Sequence, residues 1–294
     1  MKPLQRIATA LVALTVVACS QTRPPAAITP ALYAVRDEDS TMYLYGTVHV
    51  RPRGADWGNA RVRAAVDESD EVWTELLMSP ETDAQTQALA QRYGRATRPL
   101  SSWLSAEENA QLDAATVKIG QPVGALEGLQ PWAAALTLTV IPLMQAGFDP
   151  QSGVDRSLDA YADNAGKRMR ALETAEQQYA FFAGMSPDLQ REMLLEAIVQ
   201  VDSVDEMIGA MSETWERGNE AALARVVIEE TREDYPELYR TLFVVRNNAW
   251  MDELTREMEG AGVDFVAVGA GHVIGPDGLV AQFRARGYQV ERVR

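Results

Sequence analysis

The sequence is poor in the side chains that most often form covalent cross-links or bind transition metals. Its 294 residues include one cysteine, Cys19, and two histidines, His49 and His272. A lone cysteine excludes an internal disulfide and a zinc site built from several thiolates. Because histidine is the side chain that titrates closest to neutral pH, imidazole chemistry in this chain rests on His49 and His272.

Positive charge and long apolar runs are also scarce. The formal net charge is −15, which argues against nucleic acid or an anionic lipid surface as a partner. Beyond the first residues, no stretch approaches the roughly 20 apolar residues that a membrane-spanning helix needs. The longest candidate, residues 132–144, is interrupted by Pro142 and is predicted to form a buried helix.

The first 30 residues predict targeting and tethering. A basic start and an apolar segment at 7–17 are typical of a signal peptide, here residues 1–18, and the residues before Cys19 resemble a bacterial lipobox. We expect Cys19 to carry lipid, and Ser20 indicates an outer-membrane protein that faces the periplasm. Residues 19–30 are rich in proline and predict a flexible tether. The alternative is an ordinary secretory signal that is cut a few residues later.

The remaining residues, 31–294, predict one α/β (α+β) domain. Short strands are expected near both ends of the chain, at residues 33–35, 42–45, 71–77, 168–172, 264–268 and 289–293. Helical spacing dominates the middle of the chain, from about 80 to 260, including single long helices at 219–232 and 236–258. We therefore expect a central mixed sheet, built from both ends of the chain, with a large helical middle region.

Both histidines occupy the same local pattern. Gly46 precedes His49 by three residues, Gly269 precedes His272 by three, and each motif follows a predicted strand. Such a glycine lets the chain turn sharply and lets another group approach the backbone. Ligands in open α/β sheets bind at the carboxyl ends of strands, so we expect the two imidazoles to meet there. The alternative is that each histidine is a hydrogen-bonded core residue.

Two carboxylates and one guanidinium are further candidate residues for the same site. Glu75 lies among apolar neighbours, where a buried carboxylate needs a partner, a proton or a cation; an edge strand with Glu75 facing water is the alternative. Glu173 follows a strand, although it could simply cap the next helix. Arg246 lies beside the apolar stripe of a long helix, where it could reach a carboxylate or a substrate oxyanion, or form an ordinary surface ion pair.

These motifs, taken in order, resemble those of the TraB/GumN family, which is related to the Tiki proteins. The resemblance extends over residues 31–294, and its specificity comes from the ordered set, not from any single segment. The matching segments are Tyr43–Val50, Val72–Glu75, Leu129–Trp132, Gly153–Asp155, Ala171–Thr174 with Gln177, Arg246–Asn247 and Val268–His272.

The resemblance implies a core similar to that of erythromycin-esterase-like and ChaN-like proteins, with a helical insertion. It also implies a metal-dependent, peptidase-like activity, as proposed for the Tiki branch. The proposed active site of the family maps onto His49, Glu75, Arg246 and His272, and Glu173 matches a further family position. Trp132 and Asn247, which also lie in matching segments, are expected to contact substrate.

Under this hypothesis His49, His272 and Glu75 bind a divalent metal, while Glu75, Glu173 and Arg246 act in catalysis. Imidazoles and a carboxylate without thiolates suit manganese, cobalt, zinc or iron in an open site. The expected substrate is a periplasmic peptide or small molecule. Two alternatives remain: a lipoprotein that binds or sequesters a peptide or glycan without turnover, and a metal-free hydrolase that uses histidine and glutamate as acid and base.

Overall fold

The computed structural model describes residues 28–294. The predicted signal peptide, Cys19 and most of the tether lie outside these residues. Within them, no helix combines the length and apolar character required to cross a membrane.

Most strands lie near the two ends of the chain, and most helices lie between them. The strands are β1 (Leu32–Arg36), β2 (Ser40–Thr47), β3 (Arg51–Pro52), β4 (Glu71–Thr74), β5 (Phe148–Asp149), β6 (Arg168–Ala171), β7 (Gly262–Gly269) and β8 (Gln289–Arg292). The helices are α1 (Ala60–Glu68), α2 (Pro80–Gly94), α3 (Ala106–Lys118), α4 (Pro131–Gln145), α5 (Val154–Asn164), α6 (Ala175–Ala183), α7 (Pro187–Gln200), α8 (Val204–Glu216), α9 (Glu220–Ala224), α10 (Glu230–Asp234), α11 (Pro236–Tyr239), α12 (Val245–Glu257), α13 (Ala270–Val273) and α14 (Leu279–Ala285).

Six of the strands form one mixed sheet in the order β6-β4-β7-β2-β1-β8. The neighbours among β6, β4, β7 and β2 are parallel, whereas β1 is antiparallel to both β2 and β8. The predicted central mixed sheet from both chain ends is therefore confirmed. The carboxyl ends of its four parallel strands lie along a single edge.

The main core surrounds this sheet. Residues 42–47 of β2 and 264–269 of β7 are buried on both faces, as expected for parallel strands covered by helices. A second apolar cluster lies within the helical middle region, where α3, α4 and α7 pack together. The helical middle is thus a packed layer with its own core, and it also supplies side chains to the edge of the sheet.

The structure departs from the sequence prediction in three places. Strand β4 ends at Thr74, not at residue 77, because the chain bends and Thr74 Oγ1 donates to the carbonyl of Leu76 at 2.9 Å. The short pair β3–β5 was not predicted, since two residues give no periodic signal. The predicted helices 219–232 and 236–258 are interrupted by π-helical turns at Arg225–Glu229 and Arg240–Val244. Such wide turns occur often at functional sites.

Candidate active site

The four parallel strands bring four polar residues to the same edge of the sheet. His49 follows β2, Glu75 follows β4, Glu173 follows β6, and His272 lies in α13, which begins directly after β7. A Cβ atom added to Gly269 would lie 3.2 Å from Glu75 Oε1, 3.4 Å from His49 Nε2 and 3.6 Å from His272 Cδ2. The two histidines therefore meet as predicted, although 222 residues of chain separate them, and Gly269 is a glycine because these groups surround it.

Glu75 is buried at the centre of this cluster. Its Oε1 accepts the Gly269 N–H at 2.7 Å, and its Oε2 accepts from Arg246 Nη2 at 2.5 Å. The alternative of an edge strand with Glu75 facing water is therefore wrong. Burial alone would raise the pKa of Glu75, but the groups around it, His272 and Arg246 foremost, lower this pKa to about 2. The carboxylate is ionised at neutral pH.

Arg246 and Glu173 form a buried ion pair beneath Glu75. Arg246 Nε donates to Glu173 Oε1 at 2.7 Å and Nη2 donates to Oε2 at 2.8 Å, in the bidentate geometry that makes such pairs strong. Trp250 Nε1 donates to the same Oε1 at 3.0 Å. Thr174, not Glu173, caps α6. The two alternative roles, a helix cap for Glu173 and a surface ion pair for Arg246, are therefore wrong.

His272 lies in the same buried network as a neutral ring. Its Nδ1 is 2.7 Å from Asn247 Oδ1 and its Nε2 is 3.0 Å from Arg246 Nη1. Because a guanidinium can only donate, Nε2 accepts, and the proton lies on Nδ1, which donates to the amide oxygen of Asn247. Burial lowers the pKa of His272 to about 3. This ring is uncharged near pH 7. At that pH, the buried cation in contact with Glu75 is therefore Arg246.

His49, unlike His272, is exposed and has a raised pKa. Its side chain is 66% exposed, and its Nδ1 lies 2.8 Å from Asp155 Oδ2. Thr47 Oγ1 donates to the other oxygen of Asp155, which fixes the carboxylate. The charge of Asp155 raises the pKa of His49 to about 9, so the ring is an imidazolium at neutral pH. With Nδ1–H held by Asp155, Nε2 is the nitrogen available to a ligand.

Asp155 is the functional residue that the sequence analysis missed. It lies in the first turn of α5, where a helix N-terminus favours a carboxylate. The Val154 N–H donates to the carbonyl of Val48 at 2.9 Å, and a Cβ on Gly153 would lie 2.4 Å from the carbonyl oxygen of His49. Gly153 therefore lets α5 approach the histidine loop closely. The signal available in the sequence was an aspartate beside the apolar stripe of α5, inside a family-matching segment.

A cavity of about 360 Å³ opens above the cluster. The polar side chains that line it include His49, Glu75, Gln178 and Arg246. Apolar side chains also line it: Leu76, Met78, Phe181, Phe182 and Leu242. The cavity therefore presents an ionised carboxylate and an imidazolium to a ligand that also carries an apolar group.

Two predicted substrate contacts do not line this cavity. Trp132 is 2% exposed and stacks behind Phe182, with ring centroids 5.5 Å apart, so it supports the cavity wall from within. Asn247 is buried beside His272 and also donates to the carbonyl of Asp277 at 2.9 Å. Both residues position other side chains, because the packing of α4 and α12 turns them away from the opening.

The predicted metal ligands do not form a three-ligand site in this arrangement. Metal bonds of about 2 Å place ligand atoms close together. Among residues 28–294, the donor atoms of His49, Glu75 and His272 do not all lie within 4.8 Å of one another. His272 Nε2 already accepts from Arg246, and Glu75 is neutralised by the same guanidinium. His272 Nε2 lies 3.9 Å from Glu75 Oε1, and a metal ion bound by both would replace the contact of His272 with Arg246.

Replacing Gly269 by alanine is expected to reduce ligand binding or turnover at least ~10-fold while the domain stays folded. The new methyl group would press on Glu75 Oε1 and His49 Nε2, at distances tighter than most Cβ contacts. A Gly128→Ala variant is the matched control, because a Cβ there meets nothing within 4 Å. Equal activity of the two variants would show that the space between Gly269, Glu75 and His49 is not used by a ligand.

His272 should make the folded protein sensitive to acid. Because its pKa is lowered from 6.5 to about 3, its stabilising contribution is present above pH 6.5 and is lost as pH falls towards 3. We expect a His272→Gln variant to lose less stability than the wild type over this range, by up to about 1.4 kcal/mol per pH unit. His49→Gln should not change this acid-side slope, because the raised pKa of His49 acts between 6.5 and 9. Urea unfolding between pH 7.5 and 4 measures both slopes.

No curated protein and no solved structure matches the chain. The model of the TraB/PrgY/gumN family matches residues 31–292. This range includes the sheet, the helical middle region and every residue of the buried cluster, so the protein belongs to the TraB/PrgY/gumN family.

Proposed function

We propose that the protein hydrolyses peptide or amide bonds at the bacterial cell envelope, where the sequence predicts a lipid anchor at Cys19. One observation supports this proposal most directly. The free nitrogen of His49 and the ionised carboxylate of Glu75 converge on one point beside Gly269, and both residues line the cavity. A proton donor and a proton acceptor held beside one ligand position are the basic requirement for acid–base hydrolysis.

In this proposal Glu75 is the general base and His49 is the general acid. Water attacks the carbonyl carbon while Glu75 accepts its proton, and His49 Nε2 donates a proton to the leaving nitrogen as the C–N bond breaks. The environments separate the two pKa values, to about 2 and about 9, so that both groups have the required protonation state at neutral pH. Because so low a pKa weakens a base, we expect turnover to be modest.

The buried residues hold Glu75 in place, while Asp155 holds His49. Arg246 and the Gly269 N–H fix Glu75, while Glu173 and His272 fix the guanidinium from the other side. The N–H groups of Arg246 are directed at these protein acceptors, so Arg246 acts here through its charge and through positioning. The apolar side chains that line the cavity favour a substrate with an apolar side chain beside the scissile bond, and the acidic chain favours neutral or basic peptides.

A metal-dependent form of the same hydrolase is the second candidate. The observation that favours it is the anchoring of Nδ1 in both histidines, by Asp155 and by Asn247, which is how proteins commonly orient metal-binding imidazoles. Manganese, cobalt, zinc and iron are the metals that the sequence suggests. The contacts of His272 with Arg246 favour the metal-free form.

Digestion of a peptide library by the purified protein tests the proposal. The reaction is run with each metal, with a chelator, and with the His49→Ala variant. Cleavage that resists the chelator and disappears in His49→Ala supports the metal-free acid–base mechanism, and cleavage restored only by one metal supports the second candidate. Peptide binding without cleavage in any arm would instead support the binding lipoprotein. Cleavage that persists in His49→Ala under all conditions would contradict a role for this site.

A further inference from the structure

Helix α6 contributes three side chains to the lining of the active-site cavity, Gln178, Phe181 and Phe182. Residues three and four positions apart lie on the same face of a helix, so the amide of Gln178 is bordered by the two aromatic rings. The proposed acid–base reaction gives this amide no role. Helix α6 therefore offers a polar group and an apolar surface side by side to a ligand in the cavity.

Two carboxylates fix the orientation of the Gln178 amide. Its Nε2 donates to Glu173 Oε2 at 3.2 Å and to Glu75 Oε2 at 3.4 Å. Both oxygens also accept from Arg246, and an ionised carboxylate has no hydrogen to donate. The amide nitrogen must face these oxygens, because the flipped amide would direct its own carbonyl oxygen at them. The carbonyl oxygen, Oε1, therefore lies on the other side of the amide.

Gln178 Oε1 is an accessible acceptor. It accepts no hydrogen bond from any group of residues 28–294, and it is not closed off by burial. The two carboxylates that line the cavity, Asp155 and Glu75, already accept two hydrogen bonds each from the protein. Gln178 Oε1 is thus a neutral acceptor with a fixed orientation that the cavity offers to a ligand.

We propose that Gln178 Oε1 accepts a backbone N–H of the substrate, from an amide next to the scissile one. This assignment rests on the proposed hydrolase activity, and it narrows the substrate class to chains with a secondary amide beside the bond that is cut. Because Nε2 of the same amide contacts Glu75, Oε1 lies within two residue lengths of extended chain, roughly 7 Å, of the general base. An extended peptide with its scissile carbonyl at Glu75 therefore brings a neighbouring N–H to Gln178.

The aromatic rings of α6 define which residue supplies this N–H. A residue bound at Gln178 would place its side chain near Phe181 and Phe182, so an apolar residue is favoured there. Proline is apolar but has no N–H, and a site built to bind an N–H rejects an analogue that lacks it. Selection of an apolar residue together with exclusion of proline is the expected specificity.

Ester-for-amide replacement in a peptide tests the proposal. The parent is the best-cleaved peptide of the library digestion, or the tightest-binding one if none is cleaved. Each amide other than the scissile one is replaced in turn by an ester, which removes the N–H without adding bulk. In the wild type, one replacement should cost ~5–10-fold in kcat/KM, or in Kd where binding is measured, as expected for one neutral hydrogen bond. In Gln178→Met the same replacement should cost less than ~2-fold.

The ratio between amide and ester separates substrate contact from support of Glu75. Gln178→Met also removes a donor to Glu75, and this structural loss lowers the turnover of all peptides alike without changing the ratio. Gln111→Met, at an exposed glutamine of α3, is the matched control and should keep the wild-type ratio.

Two results would overturn the proposal. One is equal tolerance of an ester at every position by the wild type, and the other is an ester penalty that persists in Gln178→Met. Either result together with cleavage would leave the proposed hydrolase standing. A penalty seen in binding, without cleavage of any peptide, would support the contact at Gln178 and contradict the hydrolase. Absence of both binding and cleavage would contradict both.

Discussion

An Asp155→Asn variant is expected to lose roughly 10²–10⁴-fold in turnover at pH 8, as in enzymes where the carboxylate that orients a catalytic histidine becomes an amide. Two physical effects combine. The amide can donate to His49 Nδ1, which favours the wrong tautomer. Loss of the carboxylate also returns the pKa of His49 from about 9 towards 6.5, so the imidazolium that donates the proton becomes a minor species.

The pH profile distinguishes this catalytic effect from a folding defect. In the wild type, activity should fall as pH rises through about 9, and in Asp155→Asn the fall should occur one or more pH units lower. Asp163→Asn, on the exposed part of the same helix, is the matched control and should keep the wild-type profile. An unchanged alkaline limb in Asp155→Asn would show that His49 is not the acid.

The second large effect is expected from Arg246→Ala, which should lower the free energy of unfolding by ~3–5 kcal/mol at pH 7. The substitution leaves Glu75 and Glu173 buried without the cation that neutralises them, and it removes the donor to His272 Nε2. Urea unfolding measures the loss. Activity should disappear in parallel, because Glu75 is no longer fixed.

Two comparisons test the electrostatic reason for this loss. Arg256→Ala, an exposed arginine on the same helix, should cost less than about 0.5 kcal/mol. Adding Glu173→Gln to Arg246→Ala should recover part of the stability, because one unpaired buried charge is removed. An Arg246→Ala cost no larger than that of Arg256→Ala would contradict the buried network. A double variant that loses the full sum of the single losses would contradict it as well.

The sequence was sufficient to predict which strands end near each other. The two Gly-x-x-His motifs and the apolar neighbours of Glu75 are local signals, and parallel strands place their carboxyl ends together whatever lies between them. For this reason the meeting of His49 and His272 and the mixed sheet were predictable. The identity of the chain as a TraB/PrgY/gumN protein was also predictable, because its segments keep their order along the chain.

The partners of these residues were not predictable, because they depend on how helices from the middle region pack. Asp155 reaches His49 only because Gly153 lets α5 approach the loop after β2. The contacts of Arg246 depend on the position of α12 after a π-helical turn, which sequence periodicity does not reveal. The place of Trp132 was not predictable either, since the packing of α4 sets it behind Phe182 and away from the cavity lining.

Strand β7 has a consequence for how the chain folds. It lies between β4 and β2 at the centre of the sheet, yet it is among the last elements to be synthesised. Until residues 262–269 are available, β2 and β4 each have an unpaired edge, and such edges favour misassembly. Pairing of distant segments also slows folding, because long loops must close first. We therefore expect assembly of the sheet to be a late and slow event, during which the protein depends on protection from aggregation.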